Sequence, residues 1–250
     1  AIHAAQACTA VRHGKPVFCQ KPLARTTLET NCVVREAQER DRLLGVDFSY
    51  RHVAGVDAMR QMVQRGELGD LFAIDLVFHN AYGPDKEWFY DMSRSRGGCE
   101  IDIGIHLVDL IRYGPGQASR LSSQRYRDGK PAERAQVEDA VFAHWILDGA
   151  IQVRLACSWK LSAGCDAEIR ASFYGSQGAV AMQNVAGSFY DFSVHHHRGH
   201  QSSQLAGAGA DWGGKALEQW LNRVAVDPGF DGEALDFVET AKLIDSICHR

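Results

Sequence analysis

The chain has 250 residues, 45% of them hydrophobic and 23% charged, with a formal net charge of −4. That is the balance of an ordinary globular protein with one large core or two small ones. Mild negative charge and the lack of a basic cluster interleaved with aromatics argue against a nucleic-acid partner; no apolar run is long enough for a membrane helix, and no secretory leader pattern is present.

Residues 2–14 carry helical periodicity, and Pro16 to Cys19 then reads as a short buried strand after a Gly-Lys turn. Gln20, Lys21 and Pro22 follow at its carboxyl end. In open α/β sheets ligands bind at that end of a strand, so an ammonium there can polarise a substrate oxygen. Pro22 biases Lys21 toward extended backbone and aims the side chain. An exposed lysine before a loop is the competing reading. Thr26 to Thr30 supplies N-cap candidates for a helix reaching about Asp41, and Leu43 to Phe48 is a second short apolar strand. Strand–helix–strand alternation predicts part of a parallel sheet.

Val56 to Arg65 reads as a helix ended by Gly66. After it the pattern changes to strands: Phe72–His79, Arg120–Tyr126, Val137–Leu147, Ile151–Trp159 and Glu168–Tyr174. Asp148-Gly149 is a strong hairpin signal, and Gly175 to Gly178 joins Tyr174 to Val180 in the same way. Helical periodicity returns over 215–225 and 231–248, split by Asp227-Pro228-Gly229. The predicted fold class is α/β plus α+β: a partial Rossmann-like parallel sheet, then a mostly antiparallel sheet with helices on one face. Residues 1–49 form the first domain and 50–250 the second, the last helix (about 231–248) packing back on the first. The open sheet face predicts a homo-oligomer.

The most informative stretch runs from Gly97-Gly98 into the apolar periodic segment Ile101–Tyr113. In a helix there, Asp102 and His106 stack on one face, with Asp109 a further turn along the same side. A carboxylate beside an imidazole can exchange a proton with a substrate hydroxyl. A capped surface helix with a chance histidine is the alternative. Trp88, Phe89 and Tyr90 precede the glycine pair and fit either an apolar wall against a sugar ring or packing between domains. His195 to His197 with His200 invites a metal, but consecutive strand histidines alternate direction and no carboxylate or thiol stands at a ligand spacing, so a solvated or substrate-rim loop is favoured and no metal is assigned. Seven cysteines without a Cys-x-x-Cys pair argue against a disulfide framework or zinc ribbon, and point to small buried hydrophobes in a reducing, cytoplasmic setting. Cys99 reads as a small residue at a tight turn.

Lys15-Pro16-Val17-Phe18-Cys19-Gln20-Lys21-Pro22-Leu23, followed by Gly97-Gly98 and Asp102-x-Gly104-x-His106-x-x-Asp109, resembles the glucose–fructose oxidoreductase / inositol dehydrogenase (Gfo/Idh/MocA) family. Supporting stretches are His3-Ala4 to Lys15, Phe48-Ser49-Tyr50-Arg51, Gly66-Glu67-Leu68-Gly69, Glu138-Asp139 and Trp220–Ile247. The resemblance implies hydride transfer between NAD or NADP and a secondary alcohol of a sugar, polyol or inositol. His106 would be the general base, Lys21 would stabilise alkoxide charge, and Asp102 would orient the substrate or tune His106. Gln20, Lys21, Pro22 and Arg51 would meet the cofactor; Tyr50, Trp88, Asp102 and His106 would meet the substrate. Gln20 stands where the family usually has Glu, which removes a negative charge beside Lys21. The family's Gly-x-Gly-x-x-Gly fingerprint is absent, and Ala1 resembles a point midway through its Rossmann domain, so about half of that domain is expected to be missing. Three other functions remain open: a redox-neutral NAD-using glycosidase or epimerase, a sugar-binding regulator without turnover, and an inert remnant.

Overall fold

The structure, a computed structural model, describes residues 2–111, 118–209 and 211–248. Helix α1 (His3–Arg12) packs on α2 (Thr27–Glu39). Ala7 and Val11 meet Val33, Val34 and Ala37, apolar positions at helical spacing on facing helices. Thr26 caps α2, its side chain accepting from the Glu29 N–H at 3.0 Å. Strands β1 (Val17–Gln20) and β2 (Leu44–Asp47) pair in parallel, with Gln20 opposite Asp47. Parallel strands finish at the same end, so the residues after β1 open onto one crevice with the end of β2.

A 3-10 turn (Ser49–His52) and α3 (Val56–Gln64) lead into the large sheet. Its strands are β3 (Leu71–Asn80), β4 (Ala118–Arg127), β5 (Lys130–Pro131), β6 (Ala140–Leu147), β7 (Ile151–Ser158), β8 (Ala167–Gly175), β9 (Gly178–Asn184), β10 (Phe192–Arg198) and β11 (Gln201–Ala206). Their order is β11-β10-β9-β8-β3-β7-β6-β4-β5, antiparallel among the described residues except for β3 with β7. Asp148 and Gly149 turn between β6 and β7 at φ values of 50° and 75°, the left-handed backbone such a hairpin needs.

Between β3 and β4 lie a 3-10 turn (Glu87–Tyr90), α4 (Met92–Ser95), a π-helical turn (Glu100–Gly104) and α5 (Ile105–Ile111). Helix α6 (Lys215–Val226) and α7 (Leu235–Cys248) close the fold. Strand β3 buries Ile74, Leu76 and Phe78 on one face, and α5, the π-turn and α7 cover that face of the sheet. The buried apolar residues form one contiguous cluster from Ala7 to Cys248. Helix α7 ties α2 to the large sheet: Thr27 donates its backbone N–H and its hydroxyl to the Asp245 carboxylate at 2.7 and 2.6 Å, and the Ser123 hydroxyl of β4 donates to the Ile247 carbonyl at 2.7 Å.

Three expectations need correction. Residues 195–197 do not lie in a loop but in β10, hydrogen-bonded to β9 and β11. The pair carries little apolar alternation to read: β10 buries Phe192, Ser193 and Val194 and then runs into three half-buried histidines, and β11 is an edge strand with Gln201 to Leu205 exposed. The His195 and His197 rings share a face at 6.2 Å between centroids, and among the described residues no group of three or more His, Cys, Asp or Glu is placed to hold a metal. The segment Ile101–Tyr113 is not a uniform α-helix: Ile105 N–H reaches back to Glu100 O, five residues away, before α5 begins, and residues 112–113 lie outside the described ones. The cysteines are not uniformly buried: Cys99, Cys157 and Cys248 are, whereas Cys32 and Cys165 are exposed. Among the described residues no helix is long and apolar enough to cross a membrane.

Candidate active site

Lys21 leaves the end of β1 and meets the π-helical turn. Its Nζ donates to the backbone carbonyl of Asp102, and to Asp102 Oδ1 at 3.1 Å. The second carboxylate oxygen accepts from Trp159 Nε1 at 3.2 Å. Both oxygens of Asp102 are therefore oriented, one by a cation and one by a buried indole. The Lys21 and Asp102 side chains remain 17% and 19% exposed, so the pair is accessible to a ligand. The two residues are 81 apart in sequence, and the fold brings them into contact.

His106 lies one turn further, at the start of α5. Its ring packs on Tyr50, with centroids 4.7 Å apart, and Tyr50 is itself wedged against Phe78, Phe192 and Trp212. His106 Nδ1 is buried without a hydrogen-bond partner. Burial, and next the positive charge of Lys21, hold this imidazole well below the usual histidine range. The imidazole is therefore neutral at neutral pH and free to accept a proton.

Beside the Lys21–Asp102 pair opens a cleft of about 120 Å³ whose lining includes Lys21, Pro22, Trp88, Phe89, Arg94 and Asp102. Trp88 stacks on Phe89 at 3.9 Å between centroids and 21° between planes. Tyr50 and His106 are not part of this lining; they pack against each other, and the Lys21 charge reaches His106. Gln20 turns its amide to Asp47 Oδ2 at 2.6 Å, and the other Asp47 oxygen is buried without a partner.

Arg51 has a different setting. Its guanidinium holds Asp109 through two hydrogen bonds of 2.6 Å and reaches Glu233 at 2.9 Å. Asp109 is 1% exposed, so it does not share an accessible face with Asp102 and His106. Burial raises its carboxyl, opposed by Arg51. This ion pair ties the 3-10 turn after β2 to α5, a structural task that engages much of Arg51's donor capacity.

The π-turn rests on a buried polar network that sequence reasoning missed. Gly98 N–H donates to Glu138 Oε1 at 2.5 Å, Cys99 N–H to Glu138 O at 3.3 Å, and Arg125 Nη2 to Glu138 Oε2 at 2.9 Å. Glu100 is fully buried; one of its oxygens accepts from the Cys248 thiol and the other has no partner. Burial, then the nearby Glu138, raise the Glu100 carboxyl well above its usual range. Trp159 was also missed as a site residue. The available signal was chemical: a buried indole N–H at a strand end needs an acceptor.

A family model described as the GFO/IDH/MocA C-terminal domain matches residues 56–181. The chain belongs to the Gfo/Idh/MocA family. It is 34% identical over 114 residues to a 1,5-anhydro-D-fructose reductase of Ensifer adhaerens, which covers 45% of the chain and 34% of that protein. It is 26% identical over 126 residues to a levoglucosan dehydrogenase of Pseudarthrobacter phenanthrenivorans, covering 49% of the chain and 32% of that protein. These matches span about a third of the relatives' length. Among solved structures, a 3-ketoreductase from Actinomadura kijaniata in complex with NADP and TDP-benzene superimposes with a TM-score of 0.79 at 20% identity, covering 98% of this chain and 74% of that one. A levoglucosan dehydrogenase in complex with NADH gives 0.81 at 19% identity with the same coverage. The structural likenesses establish the shared fold.

The Gfo/Idh/MocA site has two parts, and the described residues fit them unequally. An oriented ammonium and a neutral imidazole near the end of β1 suit the reacting end of a nicotinamide dinucleotide. The pyrophosphate has no matching cradle here: the first N–H of α2 is already taken by Asp245, and no glycine fingerprint follows β1 or β2.

Proposed function

We propose that this chain carries the catalytic groups of an NAD(P)-dependent oxidoreductase acting on a secondary alcohol of a sugar, polyol or inositol. The observation that carries the reading is the Lys21 ammonium fixed by Asp102 at the end of a parallel strand, with a neutral His106 close enough to feel its charge. The alcohol oxygen accepts from Lys21, which stabilises alkoxide character as it develops. His106 takes the hydroxyl proton, and its lowered pKa keeps it unprotonated for that step. Asp102, pinned by Trp159, holds Lys21 in place and offers an acceptor to a neighbouring hydroxyl. Trp88 and Phe89 give the sugar ring an apolar wall. A bound nicotinamide supplies hydride acceptance in oxidation and donation in reduction; Gln20, Lys21 and Pro22 are the residues that would lie beside it. The names of the relatives, a sugar reductase and a sugar dehydrogenase, support the substrate class.

The uncovered face of the nine-stranded sheet carries Phe142, 45% exposed, beside the Asp75–Arg154 ion pair, and the reading includes a second copy of the chain on this face. The test of the catalytic assignment is turnover of the full-length protein followed by nicotinamide absorbance. Lys21→Ala and His106→Ala are each expected to cut it by about a hundredfold or more. A near-normal rate in either variant removes that residue from the mechanism.

A further inference from the structure

The rim of the cleft is charged in a way that hydride transfer to or from a neutral sugar does not require. Arg94 lines it, exposed, and its guanidinium makes no hydrogen bond or ion pair among the described residues. The acid nearest to it in sequence is Asp91, which feels the Arg94 charge, but Asp91 Oδ1 is already taken by the backbone N–H and hydroxyl of Ser93. Arg25 lines the same cleft. It shares Glu29 at 2.7 Å and donates to the Ser93 carbonyl at 3.3 Å, which places it against the segment that carries Arg94. Its Nε is buried with no partner. Glu29 also feels Arg96, so two guanidinium groups draw on that one carboxylate. Lys21 is matched by Asp102. Among the charged side chains that line the cleft, Lys21 is thus paired with Asp102 and Arg25 with Glu29, and Arg94 is the cation left over.

We propose that the substrate entering this cleft carries an anionic group, a phosphate or a carboxylate, seated by Arg94 and Arg25 while the reacting hydroxyl lies against Lys21 and Asp102. The inference rests on the oxidoreductase reading and sharpens its substrate class. A planar guanidinium with unused donors matches the paired oxygens of either anion, and charge-assisted bonds of this kind are about twice as strong as neutral ones. Trp88 and Phe89, stacked on each other in the same lining, give the ring of an acidic or phosphorylated sugar its place.

The experiment is calorimetric titration of the full-length protein, with NADH or NADPH present, against matched probes: glucose, glucose 6-phosphate and glucuronate, then inositol and inositol 1-phosphate. At least one anionic probe is expected to bind about tenfold or more tighter than its neutral parent. Arg94→Gln, at an exposed position, is expected to cut the affinity for that probe about tenfold, to that of its neutral parent. Tighter binding of glucose 6-phosphate and inositol 1-phosphate than of glucuronate assigns a phosphate, and the reverse a carboxylate. Equal affinity for charged and neutral probes, or a preference that survives Arg94→Gln, overturns the anion site and leaves the sugar oxidoreductase reading standing. Failure of every probe to bind overturns both.

Discussion

Glu100→Gln is expected to flatten the dependence of stability on pH. The Glu100 side chain is 0% exposed and sits two residues before Asp102 on the π-turn. Its surroundings hold a second buried carboxylate, Glu138, and one guanidinium, Arg125, which is bonded to Glu138 at 2.9 Å. One cation balances one anion, so the state that avoids an uncompensated buried charge has Glu100 neutral. The folded-state pKa therefore lies above the ordinary value of 4.5, with burial the first cause and Glu138 the second. A group whose folded pKa is raised binds its proton more tightly in the native state. Its contribution to stability is complete below the unfolded value and declines as pH rises through the window up to the folded value. The decline is about 1.4 kcal/mol for each pH unit inside that window. Glutamine has nearly the same shape and no proton to lose. Its amide brings donors that this pocket does not answer, a pH-independent cost of about 1–3 kcal/mol, so slope and not absolute stability is the quantity to read. The assay is urea unfolding of the full-length protein at a series of pH values from about 5 to about 8, compared between the parent protein and Glu100→Gln. The parent is expected to lose stability toward the alkaline end more steeply than the variant. Parallel curves would mean that Glu100 is ionised in the native state, and the charge argument fails.

Two further outcomes follow from the packing. A Cβ on Gly98 would run into the carbonyl oxygen of Glu138, so Gly98→Ala must displace the strand approach or the π-turn; a loss of about 1–3 kcal/mol in a thermal or urea melt is expected, and an unchanged melt would show that the turn tolerates the shift. If a second copy covers the open sheet face, light scattering should report a dimer of the full-length protein that Phe142→Asp weakens, and a monomer of the parent at micromolar concentration would dismiss that interface.

Sequence alone determined the local features with short-range physical causes. Apolar runs of strand length, the Asp148-Gly149 turn and the Thr26 cap fixed the strands from β1 to β9 other than the two-residue β5, together with their neighbouring helices, because side-chain alternation, left-handed turn backbone and capping are decided within a few residues. Lys21, Asp102 and His106 stood out for the same reason: each lies in a motif whose residue types and spacing carry chemistry. Strands β10 and β11 escaped because β10 runs from buried Val194 into three half-buried histidines and β11 is an edge strand facing solvent, so neither carries an apolar period. Tertiary structure decided which charged groups remain available to a ligand. Asp109 and Arg51 look as eligible as Asp102 and Lys21 along the chain, yet they neutralise each other in the interior, while Lys21 and Asp102 meet at an open cleft. Burial, the partner across 58 or 81 residues, and the raised or lowered pKa that results depend on how separate segments pack, and no local pattern encodes that distance.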